Sequence, residues 1–251
     1  MENVPDNSII ESQSINVLKS ALQRCHRLKP LINENDKTVS WDGNVEVYNS
    51  ERFSKATLAG VVSVQVKGKW VTELPKTNAI KYSASIGDLK NYLKSNGAFF
   101  FVICCNDDGG KVYYNSLLPF DLYILLKDVS PLAATKTIEL QELSQKNPMD
   151  AYGIFRDFLY HSKRQAQLDT NMIERFSTGE LDSKSIPLSF GYGGIPARGD
   201  REAINYILSH PTYIYTQPSG FNIDIALGKM QIAAIERESD KPIIVNDEVL
   251  Y

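Results

Sequence analysis

Apolar and polar positions divide the chain into two textures. Ile15, Leu18, Leu22 and Cys25 recur at helical spacing and predict an opening amphipathic helix. Pro30 and the polar run Asn33-Glu34-Asn35-Asp36-Lys37 end it. Trp41 to Tyr48 alternates, with Trp41, Val45 and Val47 opposite Asp42, Asn44 and Glu46, as in a strand with one polar face. Val61 to Lys67 is a second strand, and Trp70 to Leu74 and Ala79 to Ala84 are shorter ones. A helix follows from Ser85 to Ser95, with Ser85 as cap, Asp88 in its first turn and Asn96-Gly97 as its stop. Ala98 to Cys105 is continuously apolar, as for a strand covered on both faces. A turn at Asp107-Asp108-Gly109-Gly110, a strand at Lys111 to Tyr114 and a short helix at Phe120 to Leu126 complete this half.

The texture changes near residue 145. Asn147-Pro148 marks a break, and Asp150 caps one helix or a pair between Ala151 and Phe176. Gly179 to Gly199 reads as a long loop, Asp200 to Ser209 as a helix capped by Asp200, and Tyr213 onward as β. The expectation is an α/β chain with two domains: a mixed sheet flanked by helices over 1–145, and an α+β accessory region over 146–251, β-rich toward its end. Val249-Leu250-Tyr251 follows strand-like sequence directly, which suits a piece of a longer protein.

Composition narrows the classes. With 251 residues, 43% hydrophobic and 23% charged, the chain has the makings of a sizeable core and excludes a disordered one. No apolar run nears the roughly 18 residues of a membrane span. Met1 to Ile10 carries Glu2 and Asp6 and lacks a signal peptide's basic start. Three cysteines make no disulfide framework, so a reducing, cytoplasmic setting is expected. The net charge of −3 excludes a polycation. Between Val61 and Lys94, however, six lysines face Glu73 and Asp88 alone, a local +4 that suits a phosphate backbone. Lys69, Lys76 and Lys81 are the candidate contacts; for any single one the plainer reading is a solvated position.

Chemistry concentrates on two strands. Gln65 and Lys67 share a face because one residue separates them. A hairpin centred near Ser54 sets Asp42 across from Lys67, with Gln65 one diagonal step away and Glu46 on the same face as Asp42. A hard cation takes oxygen donors, which Asp42, the Gln65 side chain and the Val66 carbonyl supply. Lys67 is placed to serve the attacking water or charge developing on a phosphate. Other signals are weaker. Cys104-Cys105 suits buried strand cysteines. His26, His161 and His210 form no metal spacing, and GYGGIPARG lacks the Gly-Lys-Ser/Thr of a phosphate loop. His161, Lys163 and Arg164 read as a solvated helix face, and tyrosines after residue 190 as an interaction surface.

Trp41-Asp42-Gly43 followed by Val64-Gln65-Val66-Lys67-Gly68 resembles the PD-(D/E)XK, or restriction-endonuclease-like, superfamily. The match is to its Mrr-like branch, where glutamine often replaces the acid before X-Lys. More closely, the chain resembles a family of bacterial domains of unknown function around phage-defence and mobile loci. That family also shares Asp88-Leu89-Lys90-Asn91-Tyr92-Leu93, the strand Phe99 to Ile103, Val112-Tyr113-Tyr114 and Leu117-Leu118-Pro119. The resemblance spans about residues 10 to 130 and implies an αβββαβ core. It implies catalytic roles for Asp42, Gln65 and Lys67, with Mg²⁺ or Mn²⁺ on Asp42, Gln65 and the Val66 carbonyl. It also places an acid on the first helix, best matched by Glu11; Glu11 or Glu46 would restore the charge lost at Gln65. The expected function is a metal-dependent DNA endonuclease of anti-phage defence, working as a homodimer or with a defence-system partner and without a membrane. The alternative is an inactive nuclease-like scaffold that binds nucleic acid or a protein, for which the neutral Gln65 speaks. A third reading is an immunity protein that pairs through the accessory β region.

Overall fold

The computed structural model describes residues 4–34, 40–180, 186–195, 199–217, 223–235, 243–245 and 248–250. Two compact units divide the chain, 1–155 and 156–251.

The first unit runs α1 (Asn7–Gln23), β1 (Leu28–Ile32), β2 (Gly43–Tyr48), β3 (Leu58–Trp70), β4 (Ala79–Ser85), α2 (Ile86–Lys94), β5 (Ala98–Asn106), β6 (Gly109–Leu117), α3 (Pro119–Leu126) and β7 (Thr135–Glu142). These strands form one mixed seven-stranded sheet in the order β1-β2-β3-β5-β6-β7-β4. β1, β2 and β3 are antiparallel neighbours, whereas β5 lies parallel to β3. The crossover between those parallel strands carries β4 and α2, since a parallel return needs a long connection. The chain is therefore α/β, and its first elements run α1-β1-β2-β3-β4-α2-β5, with β4 inserted between β3 and α2 and placed on the far sheet edge.

The two sheet faces are covered by different helices. Even-numbered β3 residues face α1: a side chain at Gly68 would strike Ser14 and Ile10. Ser14 Oγ also meets Cys105 Sγ at 3.4 Å. Odd-numbered β3 residues face the side on which Leu89, Tyr92 and Leu122 of α2 and α3 pack with Phe100, Val102 and Tyr113. β5 is buried along both faces, as its unbroken apolar run requires. Ser85 caps α2 by accepting from the Asp88 N–H, and Asn96 (φ 66°) and Gly97 (φ 101°) end the helix in left-handed backbone.

Three expectations change here. Pro30 lies inside a strand: β1 is the sheet edge, where a missing N–H is tolerated. Trp70 belongs to β3, and the stretch after it is irregular rather than a strand of its own. β7 is an additional strand, with Ile138 and Leu140 inward and polar neighbours outward. Asn35, Asp36 and Lys37 of the polar run lie outside the described residues.

α4 (Pro148–Arg164) carries the division between the units. Its first turns belong to the first unit because Phe155 stacks on Phe99 at 4.3 Å. The second unit contains the rest of α4, α5 (Thr170–Ser177), β8 (Leu188–Ser189), α6 (Asp200–Ser209), β9 (Thr212–Thr216), β10 (Ile225–Met230), β11 (Ile243–Val245) and β12 (Glu248–Leu250). β10, β9 and β8 form an antiparallel sheet, and β11 pairs with β12. α6 takes Gly199 as its cap residue, so Asp200 is its first helical residue, and Arg198 lies outside the described residues.

The interior of the second unit is polar and aromatic. Tyr192, Tyr206, Tyr213 and Tyr215 are buried, so they are core rather than interaction surface. His161 is buried with Nδ1 2.7 Å from the Tyr215 hydroxyl, to which Gln165 also donates. Arg164 pairs with Asp224, donates to Tyr160 and Ser189, and lies 3.8 Å from the centre of the Tyr215 ring. Of the expected solvated face, only Lys163 is exposed. The physical reason is geometric: the apolar bodies of these tyrosines fill the core while their hydroxyls supply partners for the buried polar groups.

Candidate functional site

Asp42 is positioned by the ladder that ends beside it. Its N–H donates to the Val64 carbonyl at 3.0 Å, and its carbonyl accepts from Asn33 at 3.1 Å. The next residue, Gly43, has φ 149°, and a side chain there would strike the Leu31 carbonyl of β1. Only glycine lets β1 approach at that point. The Asp42 carboxylate then reaches over to β3. Its Oδ2 accepts from the Val66 N–H at 2.7 Å and from Gln65 Nε2 at 2.5 Å.

This register differs from the expected one. Gly43 pairs with Val64, which brings Asp42 beside Gln65 rather than Lys67. The turn sets this offset: Tyr48 pairs with Leu58, which centres the hairpin before Ser54, and the bulge between Val47 and Tyr48 then shifts the register at Asp42 by one residue, from Val64 to Gln65.

Gln65 is 3% exposed and faces α2. Its Oε1 lies 3.4 Å from the Tyr92 hydroxyl, and its Nε2 is 3.4 Å from the Val66 carbonyl. Trp41 meets the Tyr92 ring edge-on at 6.0 Å. Its buried Nε1 has no hydrogen-bond partner among the described residues. Burial, with the Asp88 and Asp42 carboxylates nearby, pushes the Tyr92 hydroxyl far above the usual tyrosine range, so it keeps its proton.

A second layer holds Asp42 from behind. Ser40 adopts φ 74°, an uncommon conformation for a serine. Its hydroxyl donates to Asp88 Oδ1 at 2.7 Å and accepts from Asn91 Nδ2 at 2.9 Å. α2 thus clasps the segment that leads into Asp42. Sequence reasoning gave Asp88 only a helix-start role and missed Ser40, Asn91 and Tyr92. The signal available was the shared Asp88-Leu89-Lys90-Asn91-Tyr92 run, in which residues three and four apart face one side of a helix.

The other expected residues separate into near and far. Lys67 follows Gln65 on the same strand face and is half-buried, and its side chain makes no hydrogen bond or ion pair with a described residue. Lys69 is exposed one alternation further. Glu46 is engaged elsewhere: Oε2 takes Lys29 Nζ at 3.0 Å and the Tyr48 hydroxyl at 2.7 Å, which hold its carboxyl below the usual range. It stands four residues along the strand from Asp42, roughly 13 Å. Glu11 is exposed on α1, across the sheet from the Gln65 side chain. Lys76 is exposed in the connection after β3. Lys81 is on the far edge strand opposite Glu139, four strands from β3, or roughly 19 Å.

Among the described residues no group of three His, Cys, Asp or Glu side chains is arranged around a metal position. The oxygen donors brought together are the Asp42 carboxylate, the Gln65 amide and the Val66 carbonyl. A separate groove of about 990 Å³ runs along α1 between Ser12, Asn16 and Val17 and the β6–β7 residues Lys111 and Glu142. Its lysine is saturated by Glu142 and by the Pro75 and Thr77 carbonyls, so its charge is already spent. No helix among the described residues is long and apolar enough to cross a membrane. No protein-family model, curated protein or solved structure matches this chain.

Proposed function

We propose that the first unit is a divalent-cation-dependent nuclease module that hydrolyses DNA phosphodiester bonds, acting in the cytoplasm as an effector of bacterial anti-phage defence. The observation that carries this reading is the convergence of Asp42, Gln65 and Val66 beside the parallel β3–β5 pair, with Lys67 unengaged by described residues on the same face. With β4 set aside as an insertion on the far sheet edge, the element order and the parallel return after α2 agree with the αβββαβ core implied by the restriction-endonuclease resemblance. Asp42, Gln65 Oε1 and the Val66 carbonyl would hold the cation, Mg²⁺ or Mn²⁺. When bound, such an ion polarises a phosphoryl oxygen and makes its water a stronger nucleophile. Lys67 places a mobile ammonium where charge develops on the phosphate. Lys69 extends the positive edge toward the nucleic-acid backbone.

The test is incubation of supercoiled plasmid, linear DNA and RNA with the chain and Mg²⁺ or Mn²⁺. Nicking of DNA is expected, with a loss of about 100-fold or more in both Asp42→Ala and Lys67→Ala. Equal cleavage by wild type and Lys67→Ala overturns the site.

One observation favours a second reading. Gln65 and Val66 both donate to Asp42, a finished hydrogen-bond arrangement that is stable without a cation. A nuclease-like scaffold that binds nucleic acid without cutting it needs nothing more. Retarded migration of DNA in a gel, unchanged by chelator and by Asp42→Asn, with no cleavage, is its signature.

A further inference from the structure

Gln65 turns its Nε2, not its Oε1, toward Asp42. The polarity is forced, because an amide oxygen 2.5 Å from a carboxylate oxygen sets two acceptors in contact. With the Val66 N–H on the same Oδ2, two donors satisfy the charge that would otherwise attract a cation. On the far side of the amide is the Tyr92 hydroxyl, on a side chain that is fully buried. A hydroxyl both donates and accepts. It donates to Oε1 in this structure, and it has lone pairs for Nε2 if the amide turns over. Such a turn moves only the terminal torsion of Gln65, which is broad and close to two-fold.

We propose that the Gln65 amide is a two-position latch on Asp42, closed when Nε2 donates to the carboxylate and opened by a divalent cation, with Tyr92 as the pivot that satisfies the amide in both positions. This rests on the cation-dependent reading of the site. Closed, the latch competes with the ion for Asp42, so the observed affinity falls by the fraction of molecules that are open. Tyr92 is thus a positioning residue and touches neither substrate nor ion.

The experiment follows the Gln65 side-chain NH₂ signals by ¹H–¹⁵N NMR during a Mg²⁺ titration, assigning them by their loss in Gln65→Glu. Calorimetric Mn²⁺ titrations of wild type, Gln65→Glu and Tyr92→Phe accompany it. The expected result is NH₂ signals that leave their carboxylate-bonded position with the midpoint of Mg²⁺ binding. Gln65→Glu, which cannot close the latch and adds a charge, binds Mn²⁺ about ten-fold tighter or more. Tyr92→Phe removes a partner from both positions equally and stays within about three-fold of wild type. Cation binding with unmoved NH₂ signals overturns the latch and leaves the cation site standing. So does equal affinity in wild type and Gln65→Glu. Tightened binding in Tyr92→Phe overturns the pivot, since it shows a hydroxyl that serves the closed position alone. Absence of binding in both wild type and Gln65→Glu overturns the cation reading itself.

Discussion

The Asp42 carboxylate accepts a backbone and a side-chain donor, while Lys67, two residues beyond Gln65, meets no described partner. The two residues should therefore separate fold from chemistry. Asp42→Ala strips the Val66 N–H and the buried Gln65 amide of their acceptor, at about 2–3 kcal/mol of unfolding free energy. Lys67→Ala should change stability by less than about 0.5 kcal/mol. Urea unfolding of both variants checks this; an equal loss in the two shows that Lys67 is a structural residue. That Gln65 and Lys67 share a face was legible in the sequence, because one residue separates them on a strand; which of the two meets Asp42 was not, because the register of the hairpin decides it. Nor were Ser40, Asp88, Asn91 and Tyr92. Ser40 meets its partners on α2 from 48 and 51 positions away, and only the packing of that helix on the sheet creates the clasp.

Elements whose own pattern is strong were readable: α2 and β5 appear where spacing and caps put them, and α6 where its spacing does, with Gly199 rather than Asp200 as its cap residue. The misses have identifiable causes. β1 hides behind Pro30, which edge placement permits. β7 buries only Ile138 and Leu140 at alternate positions, so its polar majority reads as loop. α4 has an irregular apolar pattern because it serves two cores in turn, giving Phe155 to the first unit and His161 to the second. Phe155→Ala should thus act on the first unit, at about 3–5 kcal/mol, because it empties a site stacked on Phe99. Both tryptophans, Trp41 and Trp70, belong to that unit, so their fluorescence reports it directly. An unchanged fluorescence transition would assign the first turns of α4 to the second unit instead. Gly43→Ala is the matching test at the β1–β2 junction. Its φ of 149° and the Leu31 carbonyl leave no room for a methyl, so a loss of about 3 kcal/mol or more is expected by urea unfolding.

For the molecule as a whole, the second unit holds two titratable groups of opposite sign, the buried His161 and the half-buried Asp157. Asp157 accepts from the Tyr206 hydroxyl at 2.5 Å and from the Gly193 N–H at 2.5 Å, with Arg156 and Tyr192 nearby. Burial outweighs those bonds and pushes its carboxyl up to about 7. Its folded value lies above the unfolded one, so its contribution is complete below about pH 4 and is lost as pH rises to 7. His161 faces the Tyr215 hydroxyl and the Tyr160 and Tyr213 rings; Arg164 and Lys229 are its charged neighbours. Burial, then those two cations, hold it down to about 3. Its contribution is present above pH 6.5 and is lost as pH falls toward 3. Each shift is worth on the order of 4 kcal/mol, so between about pH 4 and 6.5 the slopes oppose and nearly cancel. Wild type should therefore show a flat stability profile for this unit there. Asp157→Asn, whose amide oxygen still accepts hydrogen bonds, removes one slope, so stability should rise with pH across that window. His161→Gln removes the other, so stability should fall over the same range. Near-UV circular dichroism followed in urea from pH 4 to 7 reports the buried tyrosines of both units, and the part of its transition that tryptophan fluorescence does not follow isolates the second unit. Parallel profiles in wild type and both variants would mean that neither group is charged or discharged by folding. The burial that gives this unit its polar tyrosine core would then not govern its response to acid.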